Sequence, residues 1–125
     1  MIRTVATEKA PAAVGAYSQA IITGDLVFTS GQLGLDPATG QLQEGVAAQA
    51  KQAMDNLGAV LDEAGAGFDS VVKTVIYLAD IADFGTVNEI YAGYFEKDPP
   101  ARSCFQVAAL PKGGLLEIEC VAQIK

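Results

Sequence analysis

The sequence predicts an α+β fold: one mixed β-sheet with two helices packed on one face, in the order β-β-β-α-β-α-β-β. Two observations lead there. Apolar residues recur at three- and four-residue steps over two stretches, which is helical periodicity. Over several shorter stretches they alternate or run unbroken between Gly, Pro and Asp, which is the pattern of strands. The chain has 125 residues, half of them hydrophobic. That suits one domain over residues 1–125 with a core of its own.

The elements follow in order. Ile21-Ile22-Thr23 and Leu26 to Ser30 are two β-prone runs, and Gly24-Asp25 between them reads as a two-residue hairpin turn. Asp36-Pro37-Ala38-Thr39-Gly40 has loop chemistry. Val46, Ala50, Met54, Leu57, Leu61 and Ala64 form the apolar stripe of a helix that ends at Gly65-Ala66-Gly67. Gln49, Lys51, Gln52, Asp55 and Asp62 fill its polar faces. Val71 to Leu78 is apolar on both faces, as a central strand would be. Asp80 with Asp83 resembles an N-cap, and Phe84, Val87, Tyr91 and Tyr94 follow at helical spacing up to Pro99-Pro100. Ser103 to Ala109 and Leu116 to Ile124 are the last strands, joined by the Leu110–Gly114 loop. Two helices cover one sheet face, and Val71, Val75 and Tyr77 make the other apolar in places. Such a face implies a partner, so a homo-oligomer is expected.

Composition narrows the chemistry. The net charge is −7, and the eight Lys and Arg are scattered. Nucleic acid demands a basic footprint, so no nucleic-acid partner is expected. No apolar run is long enough to span a bilayer. Met1-Ile2-Arg3-Thr4 offers no signal-peptide core, so a soluble cytoplasmic protein is the expectation. There is no histidine, and the two cysteines, Cys104 and Cys120, form no CxxC. A metal site is therefore not expected, and both thiols are read as reduced. Proton transfer near neutral pH falls to a carboxylate, a cysteine, a tyrosine or water. No Ser-His-Asp set, P-loop or dinucleotide fingerprint is present.

The most informative stretch is Pro100-Ala101-Arg102-Ser103-Cys104, with Glu117-Ile118-Glu119 after it. Charges inside strand-forming runs are usually paired or used. By strand parity Arg102 and Cys104 share a face, as do Glu117 and Glu119. If those faces coincide, a guanidinium, a thiol and a carboxylate surround one pocket. A guanidinium suits a small carboxylate ligand, and a partly buried carboxyl suits proton transfer. A structural Arg102–Glu117 ion pair fits the spacing as well. The two strands either neighbour each other or flank a third. Further candidates are Thr29-Ser30-Gly31-Gln32, where Gly31 allows close ligand approach, and Tyr17 and Asn88.

These residues resemble a known family. Pro100 to Phe105, Val107-Ala108-Ala109-Leu110-Pro111 and Leu116-Glu117-Ile118 are similar to the C-terminal signature of the Rid family (RidA/YjgF). Gly15 to Ala20, Thr29 to Gln32, Ala48-Gln49-Ala50, Val72-Lys73-Thr74 and Val87 to Tyr91 extend the resemblance over the whole chain, nearest the RidA subgroup. It implies a chorismate-mutase-like fold and a homotrimer with clefts between subunits. It also implies hydrolysis of 2-imino acids such as 2-iminobutanoate and 2-iminopropanoate, and of their enamine tautomers, to 2-keto acids and ammonia, without cofactor or metal. On this resemblance Arg102 holds the substrate carboxylate and Glu117 activates water. Cys104 contacts ligand through its backbone, and Tyr17 comes from across the interface. Ser30 and Gly31 line the cleft, and Asn88 is structural or at the pocket edge. Glu96-Lys97-Asp98-Pro99 is shorter than in some relatives, which bears on the cleft rim. Competing readings are a non-catalytic regulatory trimer that binds 2-keto acids, and a ribonuclease or translation inhibitor.

Overall fold

Leu116, Ile118, Cys120 and Ala122 are buried along the last strand, while Glu117, Glu119 and Val121 between them are only partly covered. That alternation divides the molecule into a helix-covered side and an open side of one sheet. The computed structural model describes residues 2–125. The elements are β1 (Ile2–Val5), β2 (Ala20–Thr23), β3 (Leu26–Thr29), β4 (Gln32–Leu33), α1 (Gly45–Ala64), β5 (Val71–Leu78), α2 (Phe84–Ala92), β6 (Ala101–Gln106) and β7 (Leu116–Gln123). Among the described residues the sheet order is β1-β2-β3-β7-β5-β6, with β4 also on β7. β5 and β6 pair in parallel, and the other ladders are antiparallel. The α+β class stands, with β1 added ahead of the expected strands. β1 is largely exposed, so its sequence carries no buried alternation to announce it.

Helix α1 buries the expected stripe, with Ala50, Met54, Leu57 and Leu61 against the sheet. Gly65 ends it in the left-handed region at φ 86, where its N–H and that of Ala66 close on the last carbonyls. Gln49 corrects the sequence reading. It is buried, its Nε2 donates to the Gln43 carbonyl at 3.0 Å, and its Oε1 accepts from the Leu115 N–H at 2.9 Å. Buried Asn56 likewise donates to the Leu33 and Leu35 carbonyls. Two side chains on a helix thus supply partners for loop backbone that would otherwise be buried unpaired.

Other boundaries move for physical reasons. Asp80 caps a 3-10 turn before α2 rather than α2 itself, its Oδ1 accepting from Ala82 N–H at 2.9 Å. α2 ends at Ala92, where Gly93 follows, well before Pro99-Pro100. β6 begins at Ala101 and ends at Gln106, so Arg102 lies within it. Val71 belongs to the core, not the open side with Val75 and Tyr77. A bulge between Val71 and Lys73 reverses the parity there and leaves Val72 half-exposed.

Candidate active site

Arg102 sits on β6 opposite Thr74 of β5, and Cys104 opposite Ile76. Thr74 and Ile76 are fully buried beneath the helices, so Arg102 and Cys104 share the helix side, as parity required. Asn88 of α2 accepts a 2.6 Å hydrogen bond from Arg102 Nη1. The guanidinium carbon lies 5.3 Å from the Phe84 ring centroid and 5.0 Å from that of Tyr91. Arg102, Asn88 and Tyr91 line a cleft of about 440 Å³ with Phe95, Pro99 and Pro100. The Cys104 thiol is pushed up by burial, with Arg102 pulling the other way. A protonated thiol is a poor nucleophile.

Glu117 lies on the other side of the sheet. β7 places it opposite Tyr77 of β5, and Glu119 opposite Val75. Burial first, then the charge of Glu119, raises the Glu117 carboxyl above its ordinary value. Glu119 accepts a 2.6 Å hydrogen bond from the Tyr77 hydroxyl. That bond, with burial and the two acids, pushes the Tyr77 phenol up to about 12. Glu117 lines a cleft of about 790 Å³ with Tyr17, Ser30, Gly31 and Lys112. Gly31 has to be a glycine for Glu117 to stand where it does. A Cβ there would fall 2.6 Å from the Glu117 carboxyl carbon.

The loop bearing Tyr17 is tied down from inside. Buried Gln19 accepts from Thr7 N–H at 2.6 Å and donates to the Thr7 and Pro11 carbonyls at 3.1 and 2.7 Å. Ser30 Oγ donates to the Ser18 carbonyl at 2.6 Å, so this hydroxyl helps hold the loop. Tyr17 is 53 % exposed, and its hydroxyl oxygen accepts only a long 3.4 Å bond from Val14 N–H.

The expected residues therefore gather in two groups, not one pocket. Tyr17, Ser30, Gly31 and Glu117 line one cleft. Asn88 and Arg102 line another, with Cys104 two residues along the same face of β6. The two strands flank β5, with their functional charges on opposite sides of the sheet. Within one copy of the chain the two faces therefore do not coincide. That separation removes the alternative of a structural Arg102–Glu117 ion pair. Among the described residues, the ion pairs are Lys51–Asp55 and Lys125–Asp69. No three His, Cys, Asp or Glu side chains gather there as metal ligands would. Sequence reasoning missed Phe84, Gln19 and the Tyr77–Glu119 pair as parts of the site. Phe84 and Asn88 stand four residues apart on α2, and that spacing was the available signal.

Comparison with known proteins gives a consistent picture. Residues 7–124 match the family described as Endoribonuclease L-PSP. The chain is 57% identical over 121 residues to a rat (Rattus norvegicus) protein named 2-iminobutanoate/2-iminopropanoate deaminase, covering 96% of this chain and 88% of that one. The crystal structure of RidA from an Antarctic Psychrobacter superposes with a TM-score of 0.95 at 48% identity, covering 98% of this chain and 99% of that chain. The structure of E. coli TdcF with bound serine superposes with a TM-score of 0.95 at 38% identity, over 98% and 99% of the two chains.

Proposed function

The chain belongs to the Endoribonuclease L-PSP family, the Rid (YjgF) family of the sequence comparison, and on that footing we propose that it hydrolyses 2-imino acids to 2-keto acids and ammonia. 2-Iminobutanoate and 2-iminopropanoate, which the names of the relatives indicate, are the substrates, together with their enamine tautomers. The observation that carries the reading is the fixed guanidinium. Arg102 is held by an amide and two rings, with no carboxylate neutralising it among the described residues. Such a group takes the substrate carboxylate through a two-pronged hydrogen-bonded fork.

Glu117 then acts as general base. Water attacks the imine carbon and gives its proton to Glu117, forming a carbinolamine. Glu117 returns that proton to the nitrogen, the carbon–nitrogen bond breaks with its electron pair going to nitrogen, the hydroxyl gives its proton to the Glu117 carboxylate as it becomes a carbonyl, and ammonia leaves and takes up that proton as ammonium. A carboxyl held above its ordinary value is suited to take that proton and return it. No cofactor or metal is invoked. Cys104 lines the anion side with its backbone, and Tyr17 and Ser30 border the water side.

The working unit is a homotrimer of single-domain subunits in the cytoplasm. Each site joins the Glu117 cleft of one subunit to the Arg102 cleft of the next. Two features support this assembly. The half-sites lie on opposite sides of the sheet within one copy. The open side also presents half-exposed Phe28 and Phe105, the latter stacked edge-on against Tyr77 at 5.5 Å.

The test is keto-acid release from freshly generated 2-iminobutanoate. The protein accelerates release over the spontaneous rate, and Arg102→Ala abolishes the acceleration while remaining folded. Wild-type rates in that variant contradict the reading. The family description also names RNA cleavage. A net charge of −7 with scattered cations disfavours it, and salt-sensitive RNA binding by the pure protein would restore it.

A further inference from the structure

Phe84, Asn88 and Tyr91 occupy positions i, i+4 and i+7 of α2, which is one stripe of the helix. All three meet the Arg102 side chain. Tyr91 is buried, and its hydroxyl shares a 2.8 Å hydrogen bond with the Thr74 hydroxyl. Thr74 is the β5 residue opposite Arg102 in the ladder. Strand β5 therefore sets both the root of the arginine and, through Tyr91, the ring on which its tip rests.

The cradle is neutral. An arginine kept for structure is normally satisfied by a carboxylate, which cancels its charge. Here the partners are two aromatic faces and an amide oxygen. They attract a guanidinium without neutralising it. Asn88 engages one N–H of Nη1. Nη2 and Nε have no hydrogen-bond partner among the described residues, although the guanidinium carbon already lies 5.0 and 5.3 Å from two ring centroids.

We propose that Phe84 and Tyr91 are positioning residues for substrate binding. They hold the Arg102 guanidinium in one plane, charged and unpaired, so that its remaining N–H edge meets an incoming 2-imino or 2-keto carboxylate in-plane. The proposal rests on the reading of Arg102 as carboxylate anchor. A flexible arginine would lose much of its rotamer freedom on binding, whereas the cradle removes that freedom beforehand. Because the rings act on the carboxylate and not on the reacting carbon, their loss falls on KM rather than kcat.

The experiment measures KM and kcat for 2-iminobutanoate, the Kd of 2-oxobutanoate by calorimetry, and Tm. The variants are Phe84→Leu, Tyr91→Leu, Tyr91→Phe, Asn88→Asp and Arg102→Ala. Phe84→Leu and Tyr91→Leu each raise KM and Kd on the order of tenfold, with kcat changed less than about threefold. Tyr91→Phe, which keeps the ring, restores most of the affinity that Tyr91→Leu loses. It still lowers Tm, because the Thr74 hydroxyl is left unpaired. Asn88→Asp keeps a hydrogen-bond acceptor but cancels the charge, and weakens 2-oxobutanoate binding at least as much as the ring deletions. A purely structural role would make KM follow Tm across the series, and that result overturns the proposal. So does unchanged KM and Kd in Phe84→Leu, a partly exposed position that carries the test if Tyr91→Leu fails to fold. Wild-type affinity in Arg102→Ala would instead sink the anchor reading beneath it.

Discussion

The two halves of the site are prepared by opposite devices. Around Arg102 the protein adds contacts: an amide oxygen at 2.6 Å, and two rings at 5.0 and 5.3 Å. Around Glu117 it removes them. Gly31 leaves room for the carboxyl, and Glu119 supplies a like charge on the same strand face. The cation is fixed in place, whereas the acid is adjusted in proton affinity. Anchoring a carboxylate requires geometry, and moving a proton requires a suitable pKa. A sheet lies between the halves, and on the proposed reading the anchor and the base of one site come from different copies.

The contrast makes the two charges respond differently to deletion. Arg102→Ala should cost the most, on the order of 100-fold or more in kcat/KM, and Arg102→Lys should not rescue it because a lysine lacks the planar fork. It should also lower Tm, since Phe84 and Tyr91 lose a packing partner. Glu117→Gln should lower kcat by about 100-fold with KM nearly unchanged. Its stability should move the other way. A carboxyl whose folded-state pKa is raised binds its proton more tightly folded than unfolded. Stability is therefore lost as pH rises from the unfolded to the folded value, and the cost persists above it. Removing the charge should raise Tm at neutral pH, as thermal melts of the two variants can check.

Two smaller changes probe the acid side alone. Gly31→Ala should reduce kcat by about tenfold with little change in Tm. The atoms nearest the new methyl belong to the movable end of Glu117, and the backbone there needs no glycine conformation. Glu119→Gln should leave the maximal rate nearly intact and shift the pH profile. Wild-type kcat/KM should fall as pH drops through the raised Glu117 value, because protonation removes the base. Without the Glu119 charge that fall should move to lower pH. Among the groups facing Glu117, Tyr77 stays protonated throughout, while Lys112 and Asp36 border the same cleft. An acid limb that does not move would assign the shift to burial alone.

Much of this was readable in the sequence. The stripe of α1, the hairpin at Gly24-Asp25 and the alternation of β7 are local periodicities, and they appear where expected. Arg102 and Cys104 share a face because parity within one strand is also local. Sequence could not tell which side of the sheet each strand's functional face takes. That depends on the order β7-β5-β6, a long-range arrangement. Gln49 and Gln19 were misplaced or overlooked for a related reason. A glutamine reads as surface until the backbone it satisfies is known, and those partners lie up to 66 residues away.

The central claim is that anchor and base belong to different subunits. Arg102→Ala and Glu117→Gln chains, each inactive alone, can be unfolded together and refolded as mixed assemblies. If each site takes Arg102 from one copy and Glu117 from its neighbour, random mixing in equal amounts leaves about a quarter of the sites with both residues intact. Keto-acid release from 2-iminobutanoate should then recover to about a quarter of the wild-type rate. Activity no greater than that of the two parent variants would contradict a shared site.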